Sequence, residues 1–377
     1  MGAMRSAARD FLRVGIIGGG QLGRMMILAG TPLGFSFGVL APSAADPAVH
    51  LAHHHEPGAL DDAAAIRRLA AWADVTTYEI EHIDTDALAA AERSGASILP
   101  RPALLRVIND KLEQKRALRQ AGIPLPDFSE RPERYPIVQK LRRGGYDGRG
   151  VQVLADESTP VLPGPAYYEE LVAFDRELAV LVARSSRGQT SVYPVLEMTF
   201  DPAANICSRV IVPARIDAES RARAHEVAVA AVQALDGVGV LAVELFLARD
   251  GRILVNEIAP RPHNSGHLTI EACVTSQFEQ HLRAVAGLPL GSTALRTAAV
   301  MVNVLGAPDA YGRPRLPEIC DLLGRPDVHL HWYGKTEVRP YRKMGHVTVL
   351  AADVEEALAV AEQIGPATQV TGASDEC

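Results

Sequence analysis

The sequence predicts an α/β and α+β protein that opens with a doubly wound, Rossmann-like domain and closes with a small β-rich one. Three observations predict it. A strand, a glycine loop, a helix and a second strand fill residues 14–40. Proline and glycine breaks punctuate the chain near residue 100 and near residue 290. Between those breaks the pattern is rich in strands, with one long Ala/Val helix at 222–235.

The elements follow in order. Val14-Gly15-Ile16-Ile17 is a short apolar strand that breaks into Gly18-Gly19-Gly20-Gln21-Leu22-Gly23. A helix at 24–29 and a strand at 35–40 come next, then a helix at 66–72, a strand at 75–80 and a helix at 87–94. Pro100-Arg101-Pro102 ends this alternation. A charged amphipathic helix at 109–121 is closed by Gly122 and Pro124, and a helix at 269–285 ends near Gly287 and Pro289. Two strand-like runs, 298–305 and 346–350, and a helix at 354–364 complete the chain. The expected domains are 12–104, 105–296 and 297–377. Residues 1–11 lack an apolar signal region and are set aside as a start-site extension or cloning scar, although Met1–Ser6 formally fits a myristoylation pattern.

Composition narrows the function classes. Among 377 residues, 38 Lys+Arg stand against 45 Asp+Glu, a net charge of −7 with no basic block, which argues against a nucleic-acid binder. With 47% hydrophobic and 22% charged residues the chain has the balance of a soluble globular protein, and no apolar run of about 18 residues suggests a membrane span. The four cysteines, Cys207, Cys273, Cys320 and Cys377, are far apart, which points to the reducing cytoplasm rather than to a disulfide framework.

Gly18, Gly20 and Gly23 fit a dinucleotide fingerprint between strand and helix, where glycines admit a ligand to the backbone and the helix N-terminus attracts phosphate. The second strand runs into Ala41-Pro42-Ser43 with no carboxylate for ribose hydroxyls, so NAD is disfavoured and some other phosphorylated ligand is left open. His50 and His53–His55 lie in a proline-bounded polar stretch and read as an exposed loop.

The sharpest signal spans 241–258. Asp250-Gly251 between two β-forming runs reads as a two-residue hairpin turn, and counting outward places Glu244 opposite Glu257. Cross-strand Cβ atoms lie about 4.5–5.5 Å apart, and like charges so placed destabilise a hairpin unless a cation lies between them. Two such carboxylates suit Mg²⁺ shared with substrate phosphates. Immediately after Asn256 and Glu257 comes a proline-fixed loop carrying Arg261, His263, Asn264 and Ser265, donors suited to a small oxyanion. His263 and His267 have HxxxH spacing, but Asn-Ser-Gly between them opposes a zinc-binding helix.

Upstream, the strand ending at Lys140 and Leu141 enters a basic glycine-rich loop, 142–150, and leaves through a strand beginning at Val151. Its glycines and arginines can close over phosphates. No Walker sequence occurs. Tyr168-Glu169-Glu170-Leu171-Val172 and Phe174-Asp175-Arg176-Glu177 set acidic residues beside apolar ones, as an adenine and its ribose require.

These residues carry a resemblance. The order of basic glycine loop, paired-Glu strand and E…NE hairpin resembles the ATP-grasp superfamily. GGGQLGRMM at 18–26, YEIEHI at 78–83, GGYDGRG at 144–150, FDREL at 174–178, NEIAPRPHNSGH at 256–267 and GKTEVRPYRKMGHV at 334–347 are similar to the N5-carboxyaminoimidazole ribonucleotide synthetase family, in order from residue 14 to about 365.

The resemblance implies a central ATP-grasp domain over 105–296, a homodimer, and carboxylation of 5-aminoimidazole ribonucleotide with bicarbonate through carboxyphosphate, using ATP and Mg²⁺. It implies that Glu244 and Glu257 hold the metal. Lys111, Lys140, Gly145, Tyr146, Asp147, Gly148, Arg149, Gly150, Val151 and Asn256 would serve the ATP phosphates, and Glu169, Glu170, Leu171, Val172 and Glu177 the adenosine. Arg261, His263 and Asn264 would grip bicarbonate or carboxyphosphate. Gln21, Leu22, Glu79, Tyr146, Asp147, Lys335 and Arg342 would hold the ribonucleotide, with Asp147 set to accept or orient the amine proton and Lys335 counted among the catalytic groups. The chain departs from the family at Lys111, where Arg is commoner, at Tyr341, where RPGRK has Gly, near Phe200, where a His is missing, and after the second strand, where an Asp is missing. Another ATP-grasp carboxylate ligase, or a catalytically silent nucleotide-binding module, is the alternative.

Overall fold

The computed structural model describes residues 12–145, 150–201 and 206–373. The chain forms two compact units, divided after Pro102.

In the N-terminal unit a four-stranded parallel sheet has Arg13–Ile17 between Ser36–Ala41 and Val75–Tyr78, with His54–Pro57 beyond Ser36–Ala41. Both inner strands are almost wholly buried, as the continuous apolar runs of a parallel sheet covered on two faces require. The helices Gln21–Gly30, Ala63–Trp72 and Thr85–Arg93 supply the crossovers. Asp62 and Asp84 each accept two backbone N–H groups at a helix start, which explains why both helices begin before their apolar stripes.

One expectation fails here. His54 and His55 lie on an edge strand, not a loop, for His54–Pro57 pairs parallel with Ser36–Ala41, while His50 and His53 are exposed and outside it. His53 and His55 are held by the neighbouring strand, with His53 Nδ1 accepting the Phe37 N–H at 3.2 Å and His55 Nε2 3.0 Å from the Ala41 carbonyl.

The second unit is built on a large antiparallel sheet. Its main path runs Ile253–Ala259, Gly239–Ala248, Phe174–Arg184, Leu196–Phe200, Cys207–Val212, Ala298–Gly306, Lys343–Ala351 and Val328–Trp332. The C-terminal segment is therefore joined to the centre by backbone hydrogen bonds, with Arg209 opposite Val302. A four-stranded sheet of Phe128–Ser129, Ala166–Glu170, Ile137–Leu141 and Val151–Leu154 carries the flanks of the glycine loop. The helix Ala218–Ala234 buries Ala224, Val227, Ala228, Ala231 and Val232 in the same core as Leu178, Val180, Val243 and Val255, which stiffens the strands that bear Glu177, Glu244 and Glu257.

The single helix expected at 269–285 is two, Thr269–Ala272 and Gln277–Val285. Ser276 breaks it, accepting the Glu279 N–H and starting a new helix.

Candidate active site

The hairpin Gly239–Ala248/Ile253–Ala259 sets the site, by a route the sequence did not predict. Ala248 donates to the Arg252 carbonyl at 2.9 Å and Gly251 donates to the Ala248 carbonyl at 2.9 Å. The loop thus has three residues, with Gly251 at φ +86°, where a side chain would be strained. Leu247 pairs with Ile253 and Leu245 with Val255, one position out from the expected register. A bulge then inserts Asn256 as the extra residue, and Glu244 comes to lie opposite Glu257 after all. The expected pair is correct and the expected two-residue turn is not.

Cations surround the pair. Lys111, the first residue of the helix Lys111–Gln120, forms an ion pair with Glu257. Lys140 reaches Asn256 Oδ1 and Glu169, each at 2.7 Å. Glu169 also receives Lys115 at 2.8 Å and the Tyr167 hydroxyl at 3.0 Å, and Lys115 in turn donates to the Val255 carbonyl at 2.9 Å.

The electrostatics follow from burial and these partners. Burial, reinforced by Glu257 and Glu177, pushes the Glu244 carboxyl up to about 8. Lys111 outweighs burial at Glu257 and holds it down to about 2. Burial would raise Glu169, but Lys115 and Lys140 hold it down to about 2, while burial lowers Lys115 itself to about 8. Burial raises Glu177 to about 7, with Lys140 opposing. Glu244 and Glu257 therefore face each other as a carboxylate pair, one neutral and one charged, and two such oxygen donors suit a divalent cation. Among the described residues no three or more His, Cys, Asp or Glu side chains form a metal cage, so oxygens from a bound phosphate would have to complete the shell.

The loop carrying Arg261, His263 and Asn264 starts where the strand bearing Glu257 ends. His263 Nδ1 accepts the Ser265 N–H at 3.3 Å, so in the neutral ring the proton sits on Nε2, which lies 3.4 Å from Glu244 Oε1. Gln277 clamps the loop by accepting the His263 N–H at 2.9 Å and donating to the His263 carbonyl at 2.7 Å. Both polar atoms of the Asn264 side chain are buried, with no partner among the described residues. A buried amide left this way costs about 1–3 kcal/mol unless a ligand satisfies it. Arg261 donates to the Pro262 carbonyl at 3.0 Å.

Val172 is buried against Ala248 and Leu254, with Phe246 packed on the same cluster and stacked on Phe174 at 5.0 Å. Leu171 is exposed, and Glu170 is half-buried, 3.9 Å from Arg252. The Glu169 side chain faces inward, bonded to two lysines and a tyrosine, which makes it a holder of Lys140. At the glycine loop, Lys140 pairs with Val151, and Gly145 and Gly150 have φ of +78° and +79°. Tyr146, Asp147, Gly148 and Arg149 lie outside the described residues. In the C-terminal segment Lys335 donates to the Lys343 carbonyl at 2.7 Å, and Arg342 donates to the Glu337 carbonyl at 2.8 Å.

Within the N-terminal unit the glycine loop has an internal guest. Glu79 accepts the N–H groups of Gly20 at 2.9 Å, Leu22 at 3.1 Å and Gly23 at 3.2 Å. A Cβ on Gly18 or Gly20 would lie 2.6 Å from Glu79 atoms. The glycines make room for this carboxylate, which takes the helix N-terminus where a dinucleotide would place phosphate. Gln21 is the first residue of that helix.

Sequence reasoning missed Lys115, Gln114 and Gln277. Gln114 accepts the Ile258 N–H at 3.0 Å and donates to its carbonyl at 3.2 Å, anchoring the strand that bears Glu257. The signal was available: Gln114 and Lys115 share the inward stripe of their helix with Leu112 and Leu118, and polar residues on such a stripe mark buried polar contacts.

Fold and site together define an ATP-grasp enzyme. Family profiles match a ribonucleotide synthetase preATP-grasp domain at 11–109, an ATP-grasp domain at 116–278 and a phosphoribosylaminoimidazole carboxylase C-terminal domain at 299–360. The chain belongs to the N5-carboxyaminoimidazole ribonucleotide synthase family. It is 43% identical over 355 residues to the synthase of Synechococcus elongatus, covering 89% of each chain. It is 42% identical over 363 residues to the chloroplastic phosphoribosylaminoimidazole carboxylase of Vigna aconitifolia, covering 90% of this chain but only 64% of that longer protein. The crystal structure of the Thermotoga maritima synthetase superposes with a TM-score of 0.90 at 44% identity, over 96% of this chain and 100% of that one. The Aspergillus clavatus enzyme in complex with ADP and 5-aminoimidazole ribonucleotide gives 0.86 at 35% identity, over 95% and 99%.

Proposed function

We propose that this chain carboxylates 5-aminoimidazole ribonucleotide with bicarbonate at the expense of ATP, giving N5-carboxyaminoimidazole ribonucleotide, ADP and phosphate. The observation that carries the reading is the 3.4 Å approach of His263 to Glu244, which sets an oxyanion loop directly against the facing carboxylates. A phosphoryl group held at the carboxylates would lie next to a bicarbonate held at the loop.

In this mechanism Lys111, Lys140 and the glycine loop bind the ATP phosphates, and Val172 with the aromatic pair Phe174 and Phe246 offers the adenine an apolar seat. Glu244 and Glu257 would hold Mg²⁺, which supplies positive charge to the phosphates during transfer. Arg261 and the Asn264 amide orient bicarbonate, while His263 donates to Glu244 and fixes its orientation. Bicarbonate oxygen attacks the γ-phosphorus, and ADP leaves. Carboxyphosphate then delivers its carboxyl carbon to the exocyclic amine, phosphate departs, and Asp147 orients or accepts the amine proton. Lys335 and Arg342 serve the ribonucleotide and its 5′-phosphate.

The test is ADP release with bicarbonate, with and without 5-aminoimidazole ribonucleotide. Stimulation by the ribonucleotide is expected, and its absence would favour another ATP-grasp ligase or a silent nucleotide-binding module. The homodimer implied by the resemblance is checked by sedimentation equilibrium. Among the described residues no helix is long and apolar enough to cross a membrane.

A further inference from the structure

Three histidines, far apart in sequence, stack in a column beneath the oxyanion loop. His331 and His346 are direct partners on the antiparallel strands Val328–Trp332 and Lys343–Ala351, so the sheet brings their rings to 4.5 Å at an interplanar angle of 12°. His267, at the end of the oxyanion loop, covers the other side of His346 with centroids 4.6 Å apart. The middle ring and one end of the column are tied: Tyr333 Oη lies 2.9 Å from His346 Nδ1, and His331 Nε2 lies 2.6 Å from Glu271 Oε1.

This is a costly way to fill a core. His267 is 1% exposed and His346 and Tyr333 are no more so, yet His346 Nε2 has no partner among the described residues. Phe or Leu would pack the same volume without burying ring nitrogens. What the imidazoles add is direction, because one nitrogen of each ring lies against a particular neighbour, Tyr333 for His346, Glu271 for His331 and Gln277 for His267.

Those neighbours belong to two different substrate segments. Gln277, whose side-chain amide already clamps both the N–H and the carbonyl of His263, lies 3.2 Å from His267 Nδ1 with its remaining N–H. At the other end, Tyr333 donates its backbone N–H to the Met344 carbonyl and presents its ring 5.7 Å from the Lys335 ammonium. A continuous path therefore runs from His263 through Gln277, His267, His346 and Tyr333 to the loop that bears Lys335 and Arg342.

We propose that His267, His346 and Tyr333, braced by His331 and Glu271, are positioning residues that hold the ribonucleotide-binding loop at a fixed distance from the oxyanion loop. The acceptor amine then meets carboxyphosphate rather than losing it to water. The inference rests on the roles proposed above for Lys335, Arg342 and residues 261–264.

The experiment is steady-state kinetics of the full chain carrying His346→Phe, Tyr333→Phe, or both, with ADP and carboxylated product measured separately. His346→Phe keeps the stacked ring, and Tyr333→Phe removes a single hydroxyl, so the second variant stands if the first fails to fold. Each single variant should raise the ribonucleotide KM about tenfold and the ADP-to-product ratio above that of the wild type, with the ATP KM changed less than about twofold. Because both substitutions break the same bond, the double variant should behave like either single one. Parallel rises in both KM values, or unchanged constants in well-folded variants, would overturn the positioning role. A wild type that ignores the ribonucleotide would instead overturn the functional reading beneath it.

Discussion

Glu244 faces Glu257 across the hairpin because Asn256 is bulged out between them and the turn. Removing the charge at 257 frees Lys111 and leaves Glu244 as the only carboxylate of the pair. Glu257→Gln is nearly isosteric, and 39% of the side chain is exposed, so the fold should persist. Turnover should fall by about a hundredfold or more, since one of the two carboxylates that would hold the metal against the phosphates is lost. Rates of Mg²⁺-dependent ADP release, with far-UV circular dichroism as the folding check, decide it. Retained activity would remove Glu257 from the metal site.

Lys335 lies remote from the Glu244–Glu257 pair in sequence and is held by the Lys343 carbonyl at 2.7 Å. Lys335→Ala should raise the ribonucleotide KM by about a hundredfold, the scale of a lost charge-assisted hydrogen bond, and leave the ATP KM nearly unchanged. Equal effects on the two substrates would contradict a phosphate grip.

Much of this was legible because local rules and tertiary structure agree. Asp62, Asp84, Asp110, Asp217 and Asp353 all cap helices by accepting backbone N–H groups at the helix start, as short acidic side chains do. The carboxylate pair at 244 and 257 was legible because two register errors of one residue cancel, a turn one residue longer and a bulge. The glycine loop was only half legible: strand, glycines and helix stood where expected, but nothing local announced that Glu79, almost sixty residues on, would take the helix N-terminus. The edge strand at His54 was illegible for a related reason. Its polar composition opposes a strand, and pairing with Gly38–Ala41, together with Arg68 on Glu56 and Trp72 on His54, holds it there.

Tyr341, where the resemblance implies Gly, has a φ of +60°, in the left-handed region. The side chain is 42% exposed, so it gains little from packing. An L-residue there costs about 1–2 kcal/mol, against which glycine's extra chain entropy returns about 0.5–1. Tyr341→Gly should therefore stabilise the protein by about 0.5–1 kcal/mol, read as a higher urea midpoint with unchanged slope. A lower midpoint would show that the ring makes a contact worth more than the strain.

Glu169 and Lys115 make stability depend on pH in two separate windows. Glu169 is 2% exposed and sits near 2 in the folded protein against an ordinary 4.5. The unfolded chain binds the proton more tightly, so this contribution is complete above pH 4.5 and is lost as pH falls toward 2. Lys115, lowered from 10.5 to about 8, acts in the same direction higher up: stability rises as pH climbs from 8 to 10.5, because the folded state gives up its proton first. Glu169→Gln should remove the Glu169 share of the acid window, leaving that of Glu257, and, at neutral pH, cost about 3–5 kcal/mol by leaving Lys115 and Lys140 buried without their counter-ion. Lys115→Met should abolish the alkaline window while Lys140 still holds Glu169. Urea unfolding of the three proteins across both ranges separates the contributions. If Glu169→Gln loses stability between pH 4.5 and 2 as steeply as the wild type, the acid sensitivity arises elsewhere and Glu169 is not its source.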